Sequence, residues 1–320
     1  MLKRLTSLIT ICCGLALSGA KAADLTITTG GASGTYFRFG NDIAQVAENI
    51  GLSVDVIESR GSVQNLSRLL GYEGSTEGQF YQLAIVQADV LAELREQAAG
   101  NQILSEIVSK VKVVMPLYGE EVHVFARNNA GYRDFDDLLR NGFVLAGGRE
   151  GSGTLHTANT LVQRLSRRDV PILVDASGGE IALNALLEDQ ISSMIDVAGA
   201  PSRLGESIEL DDNLRLLDLR APALLDVPDS PYRPVRVTPE DYPWLDGSIE
   251  TIAVTSLLVA YDYDEENINC DNIRRLTEVL IDGLGRLQSD GHPKWRDVDP
   301  AFARERTDLY SCARQVIYDE

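Results

Sequence analysis

Two short loops rich in glycine, serine and threonine constrain this chain more than any other feature. Gly30-Gly31-Ala32-Ser33-Gly34-Thr35 and Gly151-Ser152-Gly153-Thr154 each follow a short apolar run and precede a helical pattern. A strand feeding a helix through such a turn begins a βα unit, and repeated βα units build a parallel sheet. A helix N-terminus also exposes unpaired N–H groups and the positive end of the helix dipole, so two of them face to face can clamp a small anion. Glycine admits a ligand to the backbone, while Ser33, Thr35, Ser152 and Thr154 supply short hydroxyls that are expected to cap the helices as well. Taken singly, either loop reads equally as an ordinary strand-to-helix turn. Two in equivalent places favour a binding role.

The rest of the pattern is alternating α/β. Leu25–Thr28 reads as a strand, Phe39–Ile50 as an amphipathic helix, 52–57 as a strand, Val63–Leu70 as a helix, 83–86 as a strand and 89–97 as a helix. Two further strands are expected at 112–116 and 122–126, separated by a turn at Leu117-Tyr118-Gly119-Glu120, where the chain crosses into a second lobe. That lobe repeats the logic with a strand at 143–146, the second glycine loop, a helix over Leu155–Leu165, a strand at 172–174, a helix at 180–187 and a strand at 193–197. A polar, proline-rich stretch (Pro228 to Pro243) precedes the apolar run Ile252–Ala260, the expected return crossing, and one helix is predicted over Cys270–Leu287. The division expected is 23–118 plus 255–320 for the first lobe and 119–254 for the second, with hinges near 115–122 and 248–256. The lobes share an architecture without a clear sequence repeat.

The first 22 residues set the compartment. Lys3 and Arg4 precede a largely apolar run from Leu5 to Leu17, and Ala20-Lys21-Ala22 offers an A-x-A cleavage site, the pattern of a secretory signal. The run falls short of the roughly 20 apolar residues that span a bilayer. Cys12 and Cys13 leave with the signal, and in an oxidising compartment the remaining pair, Cys270 and Cys312, is expected to form one disulfide. About 298 residues remain, more than one domain usually holds. With Lys3, Arg4 and Lys21 removed, 26 basic side chains face 48 acidic ones, a net charge of about −22. Such a surface excludes nucleic acid as a natural partner and suits a soluble secreted monomer.

Catalytic and cofactor motifs are missing from the sequence. His123, His156 and His292 have no ligand-like spacing, so no metal site is expected. Neither loop carries the Gly-Lys-Ser/Thr ending of a P-loop or a proper G-x-G-x-x-G, and Gly151-Ser152-Gly153 is not a G-x-S-x-G elbow. Acidic pairs are too common in this chain to mark catalysis. No cofactor and no enzyme activity are expected.

Several segments together resemble a known family. Ile27 to Phe37, Arg60-Gly61-Ser62-Val63-Gln64-Asn65-Leu66, Ala84-Ile85-Val86-Gln87-Ala88-Asp89-Val90, Leu117 to Val124, Gly151–Thr154 and Tyr232-Arg233-Pro234-Val235 are similar, in order and spacing, to the TAXI family of solute receptors for TRAP transporters. The resemblance implies a two-lobed periplasmic binding protein fold of the class II type, hinged by two crossings. It implies a receptor that closes on a carboxylate of the glutamate or 2-oxoglutarate type and delivers it to TRAP membrane permease subunits. By position, Gly31, Ser33, Gly34, Thr35 and Tyr36 would line the cleft from the first lobe with Ser62 and Gln87, and Ser152, Gly153 and Thr154 would close from the second. Gln87 is a cleft amide or a satisfied loop amide, and Tyr36 stacks on ligand or packs on its helix. Arg60 is read as a solvated charge and His123 as a packed residue. The segment 71–81 is longer than the family's link, and Arg203 adds a charge to the loop at 199–203. A sensor subunit of the same fold, signalling to a membrane histidine kinase, is the competing expectation.

Overall fold

Two long strands organise the sheet. In a computed structural model that describes residues 23–71, 79–141, 143–166, 172–304 and 306–318, the order along the chain is β1 (Leu25–Thr28), α1 (Thr35–Glu48), β2 (Val54–Ile57), α2 (Ser62–Leu69), β3 (Leu83–Gln87), α3 (Ala88–Ala98), α4 (Gln102–Ser109) and β4 (Val111–Arg127). There follow α5 (Phe135–Asn141), β5 (Phe143–Ala146), α6 (Gly153–Leu165), β6 (Ile172–Asp175), α7 (Glu180–Leu187), β7 (Ser193–Ala198), α8 (Arg203–Glu206), β8 (Leu214–Leu216), α9 (Pro222–Leu225) and β9 (Tyr232–Val237). The chain closes with β10 (Ile249–Tyr261), α10 (Ile268–Asp282), α11 (Leu284–Asp290), α12 (Ala301–Arg304) and α13 (Ser311–Tyr318). The strands form one sheet in the order β2-β1-β3-β10-β4-β7-β5-β6, with β8 on β4 and β9 on β10. At the two ends the pairs β1–β2, β1–β3, β5–β6 and β5–β7 are parallel, as βα units require. In the middle β10 and β4 run antiparallel and pass from one end to the other.

The turn expected at Leu117–Glu120 is not there, because β4 runs unbroken for 17 residues. Two apparent breakers are neutralised by distant contacts. Pro116 sits where the register against β10 shifts, so its missing N–H interrupts no regular ladder. Gly119 lies under the Arg233 guanidinium, which occupies the place a Cβ would take. The proline-rich stretch likewise contains an unforeseen strand, β9, whose Pro234 is tolerated because β9 is an edge strand. The predicted helix 270–287 is divided at Gly283 into α10 and α11.

Buried apolar side chains separate into two ends. Leu25, Ile27, Phe39, Ile43, Tyr118, Leu258, Ile273 and Trp295 belong to one core, and Leu66, Val86, Leu91, Val113 and Leu257 cover the other face of the same sheet region. At the far end Val122, Val124, Leu161, Tyr232 and Val254 form one core and Phe125, Leu183, Met194 and Tyr242 another. The change from one end to the other falls between Tyr118 and Val122 on β4 and between Val254 and Leu257 on β10. The result is a two-lobed α/β fold with two crossings. The Cys270–Cys312 disulfide is present and ties α13 to α10 in the first lobe. Residues 1–22, which carry the expected signal, and 72–78, most of the long link before β3, lie outside the described residues. Among the described residues no helix is long and apolar enough to cross a membrane.

Candidate functional site

Four helix N-termini meet at the junction of the lobes. Gly34 caps α1, Gly61 caps α2 and Gln87 caps α3 without any side-chain hydrogen bond, while Ser152 caps α6 by accepting from the Leu155 N–H at 3.1 Å. Capping therefore falls to one of the four hydroxyls expected to provide it. Ser33 is exposed, Thr35 is the first helical residue of α1 beside the Tyr118 hydroxyl, and Thr154 packs against Gly148 within its own lobe. Helix α1 starts at the glycine loop itself, four residues before its predicted start, because Tyr36 and Phe39 share its buried face.

The structure brings Tyr36, Ser62, Gln87 and Gly153 together. The Ser62 hydroxyl accepts from the Gln87 backbone N–H at 3.0 Å and lies 3.5 Å from the Tyr36 hydroxyl. Gly153 arrives from the other lobe so closely that a Cβ there would overlap the Gln87 amide and stand 2.9 Å from Ser62 Oγ. Gln87 is 2% exposed, and its Oε1 has no hydrogen-bond partner among the described residues. An unpaired buried amide oxygen is costly. Around this point the lobes touch again: the Gln64 N–H donates to the Gly151 carbonyl at 3.2 Å, and a Cβ on Gly61 would stand 3.2 Å from Ser152 Cα. Gly31 faces the Arg149 guanidinium across the junction, and Arg60, read from sequence as a solvated charge, lies against Gly151.

Beneath these loops lies a carboxyl that the sequence reading passed over. Tyr36 donates its phenol proton to Glu120 Oε2 at 2.6 Å, and both residues are buried. Burial pushes the Glu120 carboxyl up to about 8, with neighbouring Asp89 and Glu121 acting the same way and hydrogen bonds from Tyr36 and Gln87 opposing. Burial, then Glu120, pushes the Tyr36 phenol well above its ordinary value. At neutral pH Glu120 therefore holds a proton. On the other side of β4, Lys294 Nζ lies 2.8 Å from Glu121 Oε1, whose second oxygen accepts from the Ala200 N–H at 2.6 Å. Here too a first-lobe segment reaches a second-lobe loop. His123 is packed as expected, with Nε2 2.9 Å from the Tyr242 hydroxyl, and Arg203 is exposed at the start of α8.

A sequence model of the NMT1-like family matches residues 27–306, nearly the whole described chain. The chain belongs to that family. Among solved structures, one described as a periplasmic transporter is 16% identical, covering 92% of this chain and 95% of its own at a TM-score of 0.54. The periplasmic binding protein BugD is 14% identical, with 85% and 83% covered and a TM-score of 0.51. MatC from Rhodopseudomonas palustris, solved with malate bound, is 16% identical, with 92% and 95% covered and a TM-score of 0.50. At these identities the likeness is one of fold: the NMT1-like chain has the two-lobed periplasmic binding protein fold, of the class II type.

Sequence reasoning missed Glu120, Glu121 and Lys294 at this NMT1-like junction. For the two acids a signal existed, since they interrupt a long apolar strand pattern where a solvated side chain would be out of place. No local signal marks Lys294.

Proposed function

We propose that this NMT1-like protein is an extracytoplasmic solute receptor of the TAXI type. Cleavage after Ala22 releases a periplasmic monomer, whose lobes, 23–118 with 255–320 and 119–254, close on a small organic anion and deliver it to TRAP permease subunits. The reading is carried by the convergence of four helix N-termini, three without a side-chain cap, on one interlobe point. Backbone N–H groups and helix dipoles there favour a carboxylate. Protonated Glu120 beneath them adds no negative charge of its own. Gln87 Oε1 would take a donor from the ligand, which suits an amino acid such as glutamate, and 2-oxoglutarate and related carboxylates fit the same anion site. The ligand contacts proposed are Gly31, Ser33, Gly34, Thr35, Tyr36, Ser62, Gln87, Ser152, Gly153 and Thr154, with Tyr36 acting through Glu120. Malate in the similarly folded MatC is a carboxylate of comparable size. Binding, not catalysis, is the role this geometry suits.

Thermal unfolding of the purified mature protein against amino acids, 2-oxo acids and C4–C6 dicarboxylates tests the proposal. A ligand at a hundred times its Kd adds about 2.7 kcal/mol to stability, so one compound class should raise the Tm by several degrees. A flat response across the panel, after any co-purified ligand has been removed, sinks it.

A further inference from the structure

Behind the loops lies a second interlobe contact that the ligand reading does not use. Asp89 stands in the first turn of α3, on the first lobe, and is 4% exposed. One carboxylate oxygen, Oδ1, accepts from the neighbouring Val90 N–H at 2.8 Å. The other, Oδ2, accepts from the Thr157 hydroxyl on α6 at 2.8 Å and from the Tyr232 hydroxyl on β9 at 2.7 Å, both on the second lobe. His156, on α6, adds a ring nitrogen 3.9 Å from Oδ2, and its other nitrogen lies 3.3 Å from Glu93 on α3. Thr157 is fully buried and Tyr232 nearly so, and Ala88 packs against cores of both lobes. Asp89 and its two hydroxyl partners are thus shut away from water, while the Glu93 side chain at the edge of the contact is partly exposed.

We propose that Asp89 is a closure latch: a first-lobe carboxylate whose outer oxygen is met by second-lobe side chains, the Thr157 and Tyr232 hydroxyls with His156 beside them, which holds the lobes together without help from the solute. The proposal rests on the two-lobed closure described above but not on the identity of the solute. Charge-assisted hydrogen bonds in a dry site are stronger than neutral ones, and hinge opening exchanges both for water. Opening also separates Ala88 from the second-lobe core. The latch therefore biases the receptor toward its closed form, so that any solute has less of the closure to drive. Asp89 is a positioning residue in this scheme, since it acts through Thr157 and Tyr232 and is not among the proposed ligand contacts.

Interlobe distance in the solute-free protein decides the matter. Spin labels at Ile103→Cys on the first lobe and Leu173→Cys on the second, both exposed, report it by double electron–electron resonance after bound solute is stripped by unfolding in guanidinium and refolding. The parent protein is expected to keep a short-distance population. Combining Thr157→Val with Tyr232→Phe removes both hydroxyl donors from the buried Oδ2, and should lower the closed-to-open ratio at least tenfold with the far-ultraviolet circular dichroism spectrum unchanged. Asp89→Asn, which keeps shape and an acceptor, should give a smaller shift in the same direction and serves if the double variant does not fold. A parent that is wholly open without solute overturns the latch, as does a distance distribution that none of these substitutions moves. Because this readout needs no ligand, it can fail while the carboxylate panel succeeds, and the reverse.

Discussion

The two glycine loops resemble each other in sequence and differ in what they do. The first leaves Ala32 and Ser33 exposed and α1 without a side-chain cap, and it is anchored through Tyr36 to the buried Glu120. The second is capped by its own Ser152 and pressed through Gly153 onto Gln87 of the opposite lobe. One loop is open at its tip and fastened below by a group that titrates, and the other is self-contained and docked. Similar composition can thus serve either as an exposed turn or as a lobe-to-lobe contact, depending on what lies under it.

The largest effect should come from the anchor of the first loop. Glu120 has its folded pKa raised by burial to about 8 from an ordinary value near 4.5, so the folded state holds a proton that the unfolded state has lost between those pH values. The sign follows: its contribution to stability is full below about pH 4.5 and is lost as pH rises through about 8. Within that window each pH unit removes up to about 1.4 kcal/mol. Denaturant titrations from pH 5 to 8 should show falling stability in the parent and a flatter profile in Glu120→Gln, which stays uncharged and can still accept from Tyr36. Equal slopes in the two proteins would show that the first loop is not fastened by a titrating group.

Next in size is the docking of the second loop. Ala at position 153 suits a helix start, so the cost of Gly153→Ala arises from the Gln87 and Ser62 side chains it would strike across the junction. Overpacking of this kind costs about 1–3 kcal/mol, and hinged lobes can relieve it by parting. Small-angle scattering should therefore give Gly153→Ala a larger radius of gyration than the parent, with secondary structure intact. Gly31→Ala in the first loop meets only the end of Arg149 at 3.6 Å, an ordinary contact, and should leave the radius unchanged. If both variants behave alike, the loops do not differ as described.

What the sequence revealed of this arrangement follows the reach of the interactions involved. The βα units were legible because strand, loop and helix are contiguous, and Ile43, Val46 and Ala47 are buried on α1 as their spacing predicts. The meeting of Tyr36, Ser62, Gln87 and Gly153 followed from helix N-termini and a family resemblance. Strand β4 was misread because Pro116 and Gly119 are locally breakers, and what accommodates them is a register shift against β10 and an arginine on β9. Glu120 was passed over for the same reason: it is one of 48 acidic residues, and the tyrosine that binds it lies 84 positions earlier. Local rules report local structure, and here the site's electrostatics are long-range in sequence.

The smallest expected effect separates the two loops most simply. Ser152 accepts from the Leu155 N–H at 3.1 Å, whereas Ser33 is exposed one residue ahead of the Gly34 that caps α1. Losing a serine N-cap to alanine costs about 1 kcal/mol, because one N–H of the first turn loses its partner, while an exposed loop serine outside such a role is usually worth less than about 0.5 kcal/mol. Urea titration should therefore lower the midpoint for Ser152→Ala and leave Ser33→Ala near the parent. Solute binding should rank the pair the other way, since Ser33 stands at the exposed tip with its hydroxyl available, while that of Ser152 is already engaged. A Ser33→Ala protein that loses stability but not affinity would reverse the roles assigned to the two loops.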